Sequence, residues 1–447
     1  MHPTVRLVTD AMTVAFFLVT LSYYVLLFYK PKRRKTDSSF DSVTVIIPAH
    51  NEQRYIEACV ESVLKAEYKG HKEIIVVDDG SSDATAAIVS AMVERPGIQS
   101  LTQSLTLISQ PHTGKAATLN MAIARATGQL VAIIDGDTEI EANALVEMQK
   151  DLEQEKTAAT TCPIAVKNRD EGVLMWVHVE QLYASLLRSI MTKVNANVIN
   201  SGQCGMFRKK ELVDCGGFST FGLSEDMDVA IRLVRAGYHL SFTEGTMAYT
   251  NMPESFTWFC KQRARWARGG LNNLMRHMRL NTNIIDLYSM PLVVFGYIQA
   301  LVMGAFTLYK IVEGYIYLYI TYGHFFNWRI ILFLLEWCSA LGMLKWTLGF
   351  FTGVNPLTAV NIMGALASLL SYPLFLFAIV KFDRKIDLYH IIPLMFMAPL
   401  WWMVMLIQAL SLPELFNRNR YNIWSKPCIE KVPAAHEKTT LKSSGKA

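Results

Sequence analysis

Cysteine pairing is missing from this sequence. Its seven cysteines include no Cys-x-x-Cys pair and no spacing suited to zinc, which leaves reduced thiols in a cytosolic compartment as the simplest reading. Charge is sparse as well, with Asp, Glu, Lys and Arg making up 18% of the chain and a net charge of only +5. Composition therefore lends no support to nucleic-acid binding. His112-Thr113-Gly114-Lys115 has neither the glycine spacing nor the Lys-Thr pair of a Walker A loop, which argues against ATP hydrolysis. No small-residue cleavage site follows the N-terminal apolar run, and no internal repeat links the later ones. These absences speak against a secretory signal and against a transporter of duplicated halves.

Long apolar runs are what the chain has in abundance: 51% of its 447 residues are hydrophobic. Val5 to Tyr29 is long enough to cross a bilayer, and Lys30, Lys32, Arg33, Arg34 and Lys35 follow it at once. The positive-inside rule keeps that cluster cytoplasmic and makes the run a retained anchor. Further spans are expected at Met290 to Tyr309, Trp328 to Phe350, Leu357 to Lys381 and Leu388 to Leu412. Four such crossings put the C-terminus inside but leave Lys381, Arg384 and Lys385 outside, against the charge rule, unless one segment is interfacial. Within these runs, Lys310, Glu313, Glu336 and Lys345 either face a polar pathway or reach the interface. The expected organisation is an anchor over 1–35, a soluble domain over 43–280, membrane helices over 288–412 and a cytosolic, disordered tail over 413–447. That makes a multi-pass plasma-membrane protein with a cytoplasmic domain.

Between Val43 and about Arg279, short apolar runs alternate with amphipathic stretches, the pattern of a parallel sheet with crossover helices. Val43–Ile47, Glu73–Val77, Leu105–Ser109 and Leu130–Ile134 read as strands, and Ile56, Val60, Val63 and Leu64 share one face of a covering helix. Ligands of such sheets collect at the carboxyl ends of the strands. The first strand ends in Pro48-Ala49-His50-Asn51-Glu52 and the second in Asp78-Asp79-Gly80-Ser81-Ser82-Asp83, where carboxylates suit a nucleoside's N–H and hydroxyl groups, although Asp-Gly-Ser-Ser-Asp would also serve as a turn and helix cap. Lys115, opening a helix after Gly114, supplies charge for a diphosphate. The fourth strand runs into Asp135-Gly136-Asp137, two like charges that call for a hard divalent cation, Mg²⁺ or Mn²⁺. Asp226, within Ser224-Glu225-Asp226-Met227-Asp228, is the candidate base for an attacking sugar hydroxyl. Upstream, the flexible segment Asn200 to Phe207 is placed along the acceptor path. Val177 to Val194 and Phe256 to Met278 are amphipathic enough to lie at the cytosolic interface.

Four ordered motifs, Asp78-Asp79-Gly80, Asp135-Gly136-Asp137, Ser224-Glu225-Asp226 and Gln262-Arg263-Ala264-Arg265-Trp266, resemble those of membrane-integrated family 2 glycosyltransferases with a GT-A catalytic domain. Their order and spacing resemble the processive members, which include cellulose, chitin, hyaluronan and poly-N-acetylglucosamine synthases. Trp266-Ala267-Arg268-Gly269-Gly270 looks most like the last of these. The resemblance implies an α/β, Rossmann-like GT-A domain beside a helical membrane bundle, and an inverting transfer from a UDP-sugar, expected to be UDP-N-acetylglucosamine, to a growing polysaccharide that leaves through the membrane helices. By the same resemblance, Ala49, Glu52, Asp79, Lys115, Asp135, Gln262 and Arg265 bind the donor, Asp137 with Asp135 the metal, and Trp266 the acceptor sugar. Asp226 is the base, with Glu225 beside it. Single transfer to a polyprenyl phosphate or other lipid is the alternative, and the need for an accessory subunit is left open.

Overall fold

The computed structural model describes residues 3–32, 34–200, 202–279, 283–383 and 385–413. The expected tail beyond 413, with Arg33, Ser201 and Arg384, lies outside the described residues. An apolar helix, α1 (Pro3–Phe28), leads into an α/β domain. Its first half alternates β1 (Ser42–Ala49), α2 (Ile56–Lys65), β2 (His71–Asp79), α3 (Thr85–Val93), β3 (Gln103–Gln110), α4 (Lys115–Arg125) and β4 (Leu130–Ile134). Its second half holds β5 (Thr138–Ile140), α5 (Ala144–Leu152), β6 (Thr157–Thr161), β7 (Ile164–Val166), α6 (Leu174–Thr192), β8 (Cys204–Arg208), α7 (Lys209–Asp214), α8 (Glu225–Arg235), β9 (His239–Phe242), β10 (Ala248–Thr250) and α9 (Phe256–His277). Beyond it come a π-helical turn at Ile285–Ser289 and the apolar helices α10 (Met290–Tyr322), α11 (Trp328–Cys338), α12 (Ala340–Leu348), α13 (Ala359–Phe382), α14 (Leu388–Met395) and α15 (Ala398–Ser411).

The main sheet has the order β3-β2-β1-β4-β8-β6-β9, with a small sheet β5-β10-β7 beside it. The four strands read from sequence are all present, and β1 to β4 pair in parallel. A wholly parallel sheet is not what forms, because β8 runs antiparallel to both β4 and β6. The chain moves outward from β1 through β2 to β3, then returns to place β4 on the other side of β1. The carboxyl ends of β1 and β4 therefore flank a topological switch point, the usual ligand crevice of open α/β sheets. Apolar side chains fill both faces of the sheet: Val45, Ile47 and Ile74 pack under α2, where Ile56, Val60 and Val63 are fully buried, and Ile46, Val77 and Ile133 pack under α4 and α8.

The helix expected at the interface over 177–194 is α6, and it lies sandwiched between the α/β domain and the apolar helices. His178, Glu180, Ser185 and Arg188 are as buried as its leucines, because α1, α13 and α14 cover the side that the α/β domain does not. Lys193 donates to the Leu26 and Leu27 carbonyls at the end of α1, and Lys381 at the end of α13 pairs with Glu244 at 2.5 Å. Tyr24 donates to the Leu370 carbonyl while Thr13 lies against Gly364, so α1 and α13 run parallel.

Three helical stretches, Pro3–Phe28, Ile285–Tyr322 and Ala359–Phe382, are long and apolar enough to cross a membrane. The expected spans over 328–350 and 388–412 are not straight: α11 and α12 meet at 94°, and α14 and α15 at 62°. Ser339 is extended at the first bend, and its hydroxyl accepts from Leu341 N to start α12. The charged residues in these runs face one another, Lys310 with Glu313 at 2.6 Å and Lys345 with Glu336 at 2.5 Å.

Candidate active site

The loops after β1 and β2 are stitched together. Asn51, at φ 57°, donates its amide to Ser81 Oγ and accepts from Ser82 N. Left-handed backbone is tolerated by Asn better than by most residues. Gly80, at φ 71°, has no room for a side chain, since a Cβ there would lie 2.8 Å from His112 N. The His50 and His112 rings lie 4.4 Å apart, centroid to centroid, over the Asp79 backbone.

Asp79 was expected to face a nucleoside as an open acceptor, and its surroundings are different. It is wholly buried, and its oxygens accept from Gln110 Nε2, from Thr113 N and Oγ1 and from Gly114 N, at 2.8–3.1 Å. Burial alone would raise its pKa, but these donors outweigh it and hold the carboxyl below its ordinary value. Asp79 thus shapes the turn that delivers Lys115 to the crevice.

Lys115 Nζ lies 2.5 Å from Asp135 Oδ1, 3.2 Å from the Gly202 carbonyl and 3.8 Å from Glu225 Oε1. Desolvation pulls its pKa down, but Asp135 and Glu225 more than compensate, and the lysine stays charged. Asp226 lies in the first turn of α8, half-buried, with Oδ1 accepting from Met227 N at 2.8 Å. Burial first and the Glu225 charge second push its carboxyl up to about 6, against the pull of Lys115 and Arg265. Arg265, on α9, is within electrostatic reach of Lys115 and Asp226 and makes no ion pair among the described residues. Asn200 borders the cleft between Lys115 and Asp226, its buried amide without a hydrogen-bond partner among the described residues.

Asp135 and Asp137 are both half-buried at the end of β4. Behind them the Cys59 thiol donates to the Asp135 carbonyl at 3.4 Å. Burial raises that thiol well above its usual range, and the charges of Asp137, Glu52, Asp135 and Glu139, all within electrostatic reach, raise it further. Asp135 and Asp137 are hard oxygen donors at one strand end, the kind of ligand that a divalent cation takes. A second cluster, His178, Asp383 and His390, has ligand atoms within 4.8 Å of one another but sits at the junction of α6, α13 and α14. His178 Nδ1 accepts from Val166 N at 3.2 Å, so Nε2 carries the proton that it gives to Asp383. That nitrogen has no lone pair for a metal, and the cluster is a polar latch.

Of the Gln-x-x-Arg-Trp residues, Gln262 has a buried Oε1 with no hydrogen-bond partner among the described residues, and Trp266 is half-buried with the Arg263 guanidinium 4.6 Å from its ring centroid. Two features here were not read from sequence. Arg263 makes a bidentate, buried pair with Glu180 of α6, at 2.9 and 2.5 Å, which ties the two helices together behind Trp266. Gly269 lets α9 touch the loop that leads into α8, since a Cβ there would collide with Ser224 Oγ and lie 2.9 Å from its Cβ. Two glycines inside a helical pattern were the available signal for close packing. Nothing in the sequence links Glu180 to Arg263. Glu180→Ala should leave a guanidinium buried and unpaired, costing about 3–5 kcal/mol. Thermal unfolding in detergent checks this, and an unchanged midpoint would mean that water replaces the carboxylate.

Residues 44–215 match the family model "Glycosyl transferase family 2", and residues 130–344 match "Glycosyl transferase family group 2". The poly-beta-1,6-N-acetyl-D-glucosamine synthase of Staphylococcus aureus strain COL is 30% identical over 249 residues, which cover 54% of this chain and 58% of that protein. The synthase of the same name from Staphylococcus epidermidis is 27% identical over 283 residues, covering 61% and 67%. The chain thus spans little more than half the length of the S. aureus relative. Among solved structures, the mannosyltransferase PcManGT from Pyrobaculum calidifontis, in complex with GDP-Man and Mn²⁺, superposes with a TM-score of 0.56 at 19% identity, over 81% of this chain and 98% of that one. This likeness establishes the GT-A fold.

Proposed function

We propose that the chain is a family 2 glycosyltransferase that polymerises UDP-N-acetylglucosamine into a β-linked polysaccharide at a membrane, from the family matches that together span residues 44–344. The observation that carries the reading is one cleft lined by Lys115, Glu225 and Asp226, where Lys115 Nζ also lies 2.5 Å from Asp135 at the end of β4 and Arg265 is within electrostatic reach. The choice of donor is supported by the similarity to synthases named for poly-N-acetylglucosamine.

In this mechanism Ala49, Glu52 and the turn held by Asp79 receive the nucleoside, and Gln262 helps to hold the donor. Lys115 and Arg265 face the diphosphate, Lys115 exchanging a contact with Asp135 or Glu225 for one with the phosphate. Asp137 with Asp135 would hold Mg²⁺ or Mn²⁺, which when bound offsets diphosphate charge. With the acceptor sugar stacked on Trp266, its hydroxyl forms a bond to the anomeric carbon as the bond to the β-phosphate oxygen breaks. The hydroxyl proton passes to Asp226, the bonding pair leaves with UDP, and the configuration inverts.

Three crossings, α1, the stretch over 285–322 and α13, fit the membrane arrangement best. The carboxyl ends of α1 and α13 both meet α6, which puts the bases after α1 together with Lys381 and Lys385 on the side of the α/β domain, the cytoplasmic side by the charge rule. The conflict created by four C-terminal crossings then disappears.

A base must be ionised to accept a proton, so kcat/KM should fall about tenfold per pH unit below about 6 as Asp226 protonates, and level off above. A profile flat down to pH 5 would remove Asp226 from the role. For the overall reading, limiting enzyme in membranes should be given excess radiolabelled UDP-N-acetylglucosamine and its product sized over time. Long polymer beside unextended acceptor at the earliest points is expected. A product one sugar long would instead support transfer to a lipid.

A further inference from the structure

Away from the donor cleft, α9 and α15 enclose a groove of about 740 Å³, bordered by Phe256, Lys261, Ala264 and Arg268 on one side and by Ile407 and Leu410 on the other. Its two walls differ in chemistry. The α15 side is aliphatic, with Leu410 70% exposed. The α9 side is cationic: Lys261 and Arg268 are both exposed and form no ion pair among the described residues. From Phe256 to His277, α9 has five Lys and Arg residues and no carboxylate. The acid just before it, Glu254, is paired with Arg54 at 3.5 Å. Lys261 rests on the face of Trp258, 4.2 Å from the ring centroid, which leaves its charge without a neutralising partner.

We propose that this groove holds an anionic phospholipid of the surrounding bilayer, its headgroup phosphate between Lys261 and Arg268 and an acyl chain against Ile407 and Leu410. The two cations are seven residues apart, roughly 10 Å along the helix, within reach of one phosphate through their long side chains. The volume is that of a small-molecule site, about 300–1,000 Å³. The chain's own residues 414–447 are a poor occupant on charge grounds, because they contain seven Lys and Arg against three Glu. This ligand is separate from the donor sugar, and the inference does not depend on which polymer is made.

The full-length chain, purified in detergent and offered equimolar phosphatidylglycerol and phosphatidylcholine, should retain phosphatidylglycerol preferentially by native mass spectrometry. The Lys261→Gln/Arg268→Gln double variant should lose that preference by about tenfold or more, as expected for two bases near an anionic headgroup. Ala264→Trp fills the groove without changing either charge and should lower retention to a similar extent. Equal retention of the two lipids, or an unchanged preference in both variants, would overturn the proposal. So would displacement by millimolar inorganic phosphate, which would assign the cations to a free anion. Because lipid retention is read directly, a wrong assignment of the sugar substrate would leave this result untouched.

Discussion

Asp226→Asn should lower glycosyl transfer by at least about 100-fold, the contribution typical of a positioned general base. The substitution is nearly isosteric, and its remaining oxygen can still accept from Met227 N, as Asp226 Oδ1 does at 2.8 Å, so α8 keeps its first turn. What is removed is the capacity to take a proton, which the raised pKa of this carboxyl makes efficient near neutral pH. UDP affinity should stay within about twofold, because the base acts on the acceptor rather than on the nucleotide. Initial rates from membranes, paired with calorimetry of UDP on the purified protein, test both halves. Retention of more than about a tenth of the wild-type rate would sink the assignment.

Asp137→Ala should abolish activity and reduce metal-dependent UDP affinity by about 10- to 100-fold or more, the range already seen when outer partners of metal ligands are lost. The fold should survive, because Asp137 is half-buried and its main-chain carbonyl, which accepts from Asn251 N at 3.1 Å, is retained. Removing one carboxylate should also let the Cys59 thiol move back toward its ordinary pKa, since Asp137 is the strongest of the charges that raise it. Calorimetry with and without Mn²⁺ is the decisive measurement. Equal UDP affinity in mutant and wild type with metal present would reduce Asp135-Gly136-Asp137 to a turn.

The first half of the α/β domain is plain in the sequence because each strand is an apolar run ending in acids, and parallel strands buried on both faces carry that pattern. The second half is not. Thr157–Thr161 is fully buried, yet its Thr-Ala-Ala-Thr-Thr sequence has no apolar run to mark a strand. The antiparallel course of β8 depends on neighbours far away in the chain. The α6 stretch shows one apolar face, and nothing local indicates that membrane helices bury the other. Hydropathy also passes straight through Ser339, because a 94° bend changes no residue's polarity. The site residues follow the same division. Lys115 lies against Asp135 and Glu225 at a cleft that Asp226 also lines, and Arg265 is within electrostatic reach of Lys115 and Asp226. Asp79 was assigned to the ligand but is held by its own loop, since the donors that surround it are mostly backbone amides and a glutamine invisible to motif reading.

The contact between Gly269 and Ser224 makes two distant positions a single unit of variation. A methyl group at 269 has nowhere to go while 224 bears a hydroxymethyl group, and the same holds for threonine at 224. Any homologue with a side chain at the first position must therefore have shed one at the second or moved the helix away from the acidic loop. A side chain gained at 269 should therefore be inherited with a loss at 224, whereas a smaller residue at 224 opposite Gly269 needs no partner change.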